Sequence, residues 1–223
     1  MQTLWVFGHS LCLPFNLEHE IGWPTILAKK LNVQCINFSE PGADNFYIYS
    51  SFLKNRCNID SNDIVIIGWS HYSRKTFVLD RDNLAQSSVI KNSMLYNKLE
   101  NTEFIRSEGR KAPTKWMRLK PADQGILYYD RWFADYYSAH EQKINFQSYL
   151  DSVKLYLSGT QYLPFYFSQE SVEDIDITEP HAGFSVEYIT EKQLQISNED
   201  MHLSTYGHQV WANHLLDKLT NLK

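Results

Sequence analysis

The stretch "DIVIIG", residues 63–68, is the clearest strand in the sequence. It is apolar from Ile64 onward and shows no alternation between apolar and polar positions. A continuous apolar run is typical of a strand that is covered on both faces. The stretch therefore predicts a sheet that lies between two layers of helices.

The sequence on either side of this stretch alternates between strand and helix patterns. Two further buried strands are predicted at Thr3–Gly8 and Val33–Phe38, and a fourth strand at Tyr162–Phe167. The predicted helices run from Glu20 to Leu31, from an N-cap at Asp44 to about Arg56, from about Ile126 to Leu157, and from an N-cap at Ser204 to about Leu219. This order predicts an α/β fold, a three-layer α/β/α sandwich with a central, mostly parallel sheet.

One domain is expected to include the whole chain, residues 1–223, with an insertion at about 71–125. The insertion is polar and irregular, and a short helix is predicted within it near Val89 to Leu99. A further short strand is predicted at Phe184 to Ile189, inside an acidic segment.

Composition and charge exclude several classes of protein. The chain has 223 residues, 43% of them hydrophobic, and a formal net charge of −5. These values are typical of a soluble globular protein and do not indicate a partner that is a nucleic acid. No apolar run approaches the length that crosses a membrane, and no signal peptide is recognisable. The three cysteines are an odd number and have no metal-ligand spacing, and a reducing, cytoplasmic location is the simpler expectation for them.

Three loops are expected to converge on one edge of the predicted sheet. Ser10, Gly42 and Ser70 each follow the carboxyl end of one of the first three strands. Ligands of open α/β sheets bind outside the carboxyl ends of the strands. The edge that carries these three residues is therefore the predicted functional site.

A serine in such a loop acts as a nucleophile only if a base and an orienting acid lie beside it. The segment "NEDMHLSTYGHQVWA" provides both, because His202 has Asp200 two residues upstream and Glu199 three upstream. In an extended segment Asp200 would point to the same side as the histidine, whereas a tight turn would bring Glu199 onto the ring. Either carboxylate therefore remains a candidate for the acid.

Other site chemistries find no support in the sequence. The dinucleotide fingerprint G-x-G-x-x-G, the P-loop and the G-x-S-x-G elbow are all absent, because Gly8-His9-Ser10-Leu11-Cys12 lacks the second glycine of that elbow. The remaining histidines show no metal-ligand pairing. We expect neither a cofactor nor a metal.

In combination, these residues resemble the SGNH (GDSL-like) hydrolases, whose fold is flavodoxin-like. Gly8-His9-Ser10 corresponds to the family's first block, Gly42 in "SEPGADN" to the second, Gly68-Trp69-Ser70-His71 to the third, and Glu199-Asp200-Met201-His202 to the fourth. The four blocks occur in order, each at the boundary of a predicted element. The chain departs from the family pattern at three places: His9 replaces the usual aspartate, Ser70 the usual asparagine, and an aspartate follows the position of the family's acid.

The resemblance implies a catalytic triad of Ser10, His202 and a carboxylate, for which we favour Asp200 over Glu199. It also implies an oxyanion hole formed by the backbone N–H groups of Ser10 and Gly42 and by the hydroxyl of Ser70. The expected activity is hydrolysis of an ester, either a small acyl ester or an O-acetyl group on a carbohydrate.

Two alternatives to hydrolysis remain open: a catalytically inactive binding or structural module with the same fold, and an acyltransferase that uses the same triad. The sequence does not identify the oligomeric state. Arg74 is either a clamp for an anionic substrate or an ordinary surface arginine. The basic stretch at residues 110–121 is expected to be a solvated loop, with contact to an anionic polymer as the alternative. Some of the aromatic residues between 128 and 137 are expected to face a pocket, the insertion or a second subunit.

Overall fold

The computed structural model describes residues 2–14, 21–72, 74–78, 104–108 and 138–222. The strands are β1 (Thr3–Phe7), β2 (Gln34–Asn37), β3 (Ile64–Trp69), β4 (Arg74–Val78), β5 (Phe104–Glu108), β6 (Gln161–Tyr166), β7 (Gln195–Ser197) and β8 (Asp200–Leu203). The α-helices are α1 (Trp23–Leu31), α2 (Asn45–Asn55), α3 (Ala139–Tyr156), α4 (Ser185–Glu191) and α5 (Thr205–Thr220).

A four-stranded parallel sheet with the order β2-β1-β3-β6 forms the centre of the fold. The side chains of β1 and β3 alternate between its two faces, and each face has its own apolar core. Leu4 and Ile66 pack with α1 and α5 on one face, whereas Phe7 and Ile67 pack with α2 and α3 on the other. The predicted α/β/α sandwich is therefore confirmed.

The second strand is less buried than its apolar pattern predicts. β2 lies at an edge of the sheet, where Gln34 and Asn37 are exposed and Cys35 and Ile36 are partly buried. Only β1 pairs with it among the described strands. The expectation of a buried strand was wrong here, because an edge strand packs fewer neighbours than a central one.

The predicted strand at Phe184 to Ile189 is instead the helix α4. Phe184, Val186 and Tyr188 alternate with more polar residues, which favoured a strand. The buried residues, however, are Ser185 and Ile189, four positions apart, and this spacing corresponds to one face of a helix. Only Phe184 keeps a strand-like contact, a parallel bridge to Tyr166.

Part of the predicted insertion is an antiparallel pair of strands, in which β4 pairs with β5 from Arg74 opposite Glu108 to Val78 opposite Phe104. The helix predicted near Val89 to Leu99 lies outside the described residues. Residues 126–137 of the predicted long helix also lie outside the described residues, and the structure shows this helix from Ala139 onward. Within the described parts of the chain, no helix is both long enough and apolar enough to span a membrane.

Asp63 fixes the amino ends of β1 and β3 to each other. Its carboxylate accepts hydrogen bonds from the backbone of Thr3 at 2.8 Å, from Trp5 Nε1 at 2.8 Å and from the backbone of Asp60 at 3.0 Å. Burial acts to raise the pKa of Asp63, but these hydrogen bonds outweigh burial and hold the pKa below its usual value. The ionised carboxylate is therefore part of the folded state.

We expect Asp63→Ala to lower the free energy of unfolding by about 3 kcal/mol at neutral pH, because buried donors lose their acceptor. The loss should be complete above pH ~4, the usual range of an unfolded aspartate, and should shrink as the pH falls through the lower pKa of the folded state. Urea unfolding at pH 7 and pH 3 measures both effects. Asp60→Ala is the matched control, since the Asp60 side chain is exposed, and equal losses in the two variants would contradict the assignment.

Candidate active site

The ends of the first three strands meet at Gly8. A Cβ atom added at Gly8 would collide with Cys12 Sγ and lie 3.3 Å from both the Gly68 carbonyl oxygen and Ser39 Oγ. The backbone N–H of Glu40 also donates to the Gly8 carbonyl oxygen at 3.1 Å. Only glycine fits at this close approach of three segments of the chain. The contact brings the carboxyl ends of β1, β2 and β3 together, as the sequence predicts.

Ser10 begins a single 3₁₀ turn, Ser10–Cys12, directly after this contact. Two side chains hold the turn through its backbone: Asn37 Nδ2 donates to the Cys12 carbonyl oxygen at 3.0 Å, and Trp23 Nε1 donates to the Leu11 carbonyl oxygen at 2.9 Å. Leu11 and Cys12 are buried, whereas Ser10 is partly exposed. Both of these described supports act through backbone carbonyl groups, and they hold Ser10 at the surface.

The neighbouring thiol is a poor competitor for the role of nucleophile. Burial raises the pKa of Cys12 to about 12, so the thiolate is scarce at neutral pH. Ser10 is thus the more accessible nucleophilic side chain of this turn.

His9 stands where the family resemblance has an aspartate, and the structure gives it a capping role. Its Nδ1 accepts a hydrogen bond from the backbone N–H of Leu11 at 3.5 Å at the start of the 3₁₀ turn. The ring is fully buried and packs edge-on against Phe165 and Phe167, with centroids 6.4 and 5.5 Å away. An imidazole nitrogen accepts this hydrogen bond as a carboxylate oxygen could, and the ring also fills apolar space.

His202 and Asp200 lie on the same side of β8, because residues two positions apart in a strand point to the same face. Asp200 Oδ1 lies 2.6 Å from His202 Nδ1 and also accepts the backbone N–H of His202 at 2.9 Å. The hydrogen bond from the backbone N–H of His202 is the main reason why the pKa of Asp200 lies below its usual value. The contact with the His202 ring lowers this pKa further. The side chains of His202 and Asp200 are 37% and 32% exposed, so solvent and ligands reach both.

Glu199, the alternative acid, is exposed and precedes the strand. Its backbone N–H donates to Ser197 Oγ at 3.3 Å in the turn between β7 and β8. The carboxylate beside the His202 ring is therefore that of Asp200, in the extended arrangement that the sequence favoured.

The strand that carries Asp200 and His202 packs against the turn that begins at Ser10. Three features set its position: β8 pairs with β7, Ser204 caps α5 by accepting the backbone N–H of Gly207 at 3.0 Å, and α5 packs against α1. The sequence predicted the cap but not the β7–β8 hairpin, because β7 has only three residues and two of them are exposed.

Gly42 and Ser70 occupy the other two loops. Gly42 is partly exposed and has φ of 69°, a left-handed conformation that glycine adopts without strain. Ser70 has no exposed surface, and its backbone N–H donates to Asn45 Oδ1 at 2.8 Å. Asn45, the first residue of α2, is a neighbour of this loop that sequence reasoning missed, since an asparagine at a helix start carries no signal beyond that position.

The other candidate contacts named from the sequence have side chains that lie outside the described parts of the structure. Arg74 begins β4, whose side chains the structure does not describe. Residues 110–121 and 128–137 lie outside the described residues.

Comparison with known proteins identifies the fold. No protein-family model and no curated protein matches the sequence. Three solved structures are similar over nearly the whole chain. TesA has 13% sequence identity, a TM-score of 0.53 and 100% coverage of both chains. The psychrotrophic esterase EstA from Pseudoalteromonas sp., in a structure of the enzyme inhibited by monoethylphosphonate, has 11% identity and a TM-score of 0.53. The similarity covers 100% of this chain and 98% of that one.

A member of the lipolytic G-D-S-L family from Veillonella parvula has 10% identity, a TM-score of 0.51 and 97% coverage of both chains. At such identities the similarity concerns the fold and not the activity. The fold that the sequence motifs implied is confirmed: the chain has the fold of the SGNH (GDSL-like) hydrolases, with a sequence that has diverged far from these structures.

Proposed function

We propose that the chain is a serine hydrolase that cleaves an ester through Ser10, His202 and Asp200. The observation that carries the proposal is the 2.6 Å contact between Asp200 Oδ1 and His202 Nδ1 on a strand that packs against the Ser10 turn. A hydrogen bond at Nδ1 leaves Nε2 as the basic nitrogen of the ring. This is the nitrogen that a serine nucleophile requires.

The chemistry proceeds in two steps. Ser10 Oγ attacks the carbonyl carbon of the ester while His202 Nε2 takes the hydroxyl proton. His202 then returns this proton to the alkoxide that leaves, and an acyl-enzyme remains on Ser10. Water, deprotonated by His202, attacks the acyl-enzyme, and release of the carboxylic acid restores the serine. Asp200 holds the ring in the required tautomer and stabilises its protonated form.

The carbonyl oxygen becomes negatively charged in both steps and needs hydrogen-bond donors. The backbone N–H groups of Ser10 and Gly42 lie in the two loops that meet at Gly8, and Ser70 begins the third loop, directly after β3. One such donor typically contributes a factor of about 10²–10³ to kcat. Gly42 is well suited to this role, because its left-handed conformation and lack of a side chain leave its backbone accessible.

Small acyl esters and O-acetyl groups on carbohydrates are the proposed substrate class. Ser10, His202 and Asp200 are all partly exposed, so a short acyl group reaches them without a deep cavity.

Turnover of short aryl esters and acetylated sugars tests the proposal, with Ser10→Ala as the control. Release of the acid that depends on Ser10 supports a hydrolase. Acyl transfer to an added alcohol or sugar in preference to water would instead identify an acyltransferase, and no turnover by a folded protein on any ester would favour a binding or structural module.

A further inference from the structure

Asn45 has a fixed orientation at the edge of the site. Its side chain is 5% exposed, and its Oδ1 accepts the backbone N–H of Ser70 at 2.8 Å. Because a backbone N–H can only donate, the atom that faces it must be the carbonyl oxygen of the carboxamide. The amino group, Nδ2, therefore points away from Ser70 N in a direction set by this bond.

The Nδ2 atom is a buried donor without a hydrogen-bond partner among the residues that the structure describes. Buried polar groups of folded proteins nearly always have partners, and an exception in a native structure calls for a specific explanation, of which a catalytic role is one. A donor that is shielded from water and lacks an acceptor is also what stabilisation of a developing oxyanion requires.

The strand register brings the loop of this carboxamide to the same edge of the sheet as the proposed nucleophile. Phe7 of β1 pairs with Ile67 of β3, and Ser10 and Ser70 each follow by three residues. Neighbouring strands lie about 4.8 Å apart, so the loops that contain the two serines leave the sheet at adjacent strand ends. Asn45 is bonded to the backbone at one of these two points, and Gly42 precedes it by only three residues in the loop that leads into α2.

The carboxamide is better suited than the Ser70 hydroxyl to serve as a side-chain donor. A hydroxyl rotates about its C–O bond and also accepts hydrogen bonds, whereas a carboxamide nitrogen only donates. The bond from Ser70 N–H to Oδ1 holds the Asn45 amide in place before substrate binds. The family resemblance has an asparagine at position 70, and here α2 brings an asparagine to the backbone of that same residue.

We propose that Asn45 Nδ2 donates the third hydrogen bond of the oxyanion hole, beside the backbone N–H groups of Ser10 and Gly42. The inference rests on the proposed esterase function. It replaces the Ser70 hydroxyl with the Asn45 amide as the main side-chain donor, and it assigns to Ser70 the backbone N–H that orients this amide.

Steady-state hydrolysis of p-nitrophenyl acetate by a set of variants tests the proposal. Asn45→Asp keeps the size of the side chain and an acceptor for Ser70 N–H but removes the donor. We expect kcat to fall about 10²–10³-fold with KM changed little, because the donor acts on the charge that develops in the transition state. Asn55→Asp is the matched control at the other end of α2, where Asn55 Nδ2 donates to the Ser51 carbonyl oxygen, and it should keep full turnover.

Two further variants extend the test. Ser70→Ala retains its backbone N–H and should lose less kcat than Asn45→Asp. Asn45→Ala introduces no buried charge and provides a second folded variant if Asn45→Asp does not fold; its kcat should also fall by at least about tenfold. Thermal melts of all variants separate a loss of kcat from a loss of structure.

The outcomes distinguish this inference from the function on which it rests. Full kcat in a folded Asn45 variant, or a larger loss in Ser70→Ala than in Asn45→Asp, overturns the inference while the esterase function stands. Turnover that is absent from the unmodified protein, or that survives in Ser10→Ala, overturns the esterase function and the inference together. A loss of kcat in the folded Asn45 variants alone, with Asn55→Asp unaffected, supports it.

Discussion

Replacing Ser10 with alanine is expected to abolish ester hydrolysis and to leave the fold intact. Loss of a serine nucleophile lowers kcat by about 10⁶-fold in a protease in which it has been measured, and only a small residual rate remains. Among the described contacts, Asn37 and Trp23 hold the turn through the carbonyl groups of Cys12 and Leu11, which the substitution keeps. We therefore expect kcat/KM to fall below detection while the melting temperature changes by only a few degrees, about what a surface substitution causes.

A serine outside the site provides the matched control. Ser152 on α3 can carry the same substitution. Among the described contacts, its hydroxyl donates only to the Ser148 carbonyl oxygen, one turn earlier in the helix. Ser152→Ala should keep full turnover. Near-normal turnover in Ser10→Ala would mean that Ser10 is not the nucleophile, whatever its position in the loop.

The second large effect is expected for Asp200→Asn, with a loss of about 10³–10⁴ in kcat. A comparable substitution of the triad aspartate in a serine protease costs about 10⁴, because the amide favours the wrong tautomer of the histidine. Asp200 is the carboxylate at 2.6 Å from His202 Nδ1, so the same reasoning applies here. Measuring kcat on one good ester at fixed pH gives the size of the loss.

Glu199→Gln is the control for charge in the same segment, and it should cost less than about tenfold, since its exposed side chain is a surface position. A severe loss in Glu199→Gln with a mild one in Asp200→Asn would reverse the assignment of the acid. Mild losses in both would mean that His202 is not the base or is oriented by another group.

The strands β1, β3 and β6 were predictable from the sequence because their apolar residues pack into the cores on both faces of the sheet. Within one residue at each end, the apolar runs at Thr3–Gly8 and Tyr162–Phe167 correspond to β1 and β6. The N-caps at Asp44 and Ser204 were equally predictable, since a side-chain oxygen that accepts an N–H of the first turn is a local interaction. Local chemistry and complete burial both leave a clear pattern in the sequence.

Elements that depend on tertiary contacts were not predictable in the same way. The edge position of β2 follows from the order of the strands, which its own four residues do not encode. The helix α4 was mistaken for a strand because its apolar residues alternate, whereas its buried positions Ser185 and Ile189 are set by what it packs against.

The candidate site divides along the same line. Asp200 and His202 were paired from their spacing in an extended segment, and their contact is local. The contact between Asn45 and Ser70 joins residues 25 positions apart, at the start of a helix and the end of a strand, so no spacing rule finds it. His9 was noted as a departure from the family pattern, but its use as a cap for Leu11 appears only in the structure.

The most direct test of the proposed mechanism is the position of a covalent adduct. A fluorophosphonate reacts with an activated serine, fluoride leaves, and the phosphonyl group remains on the serine oxygen. Peptide mass spectrometry of the treated protein then identifies the residue that carries the added mass. We predict a single adduct on Ser10 that is lost in Ser10→Ala and formed far more slowly in His202→Ala. An adduct on another residue, or none on Ser10 in the folded protein, would contradict the assignment of Ser10 and His202 as nucleophile and base.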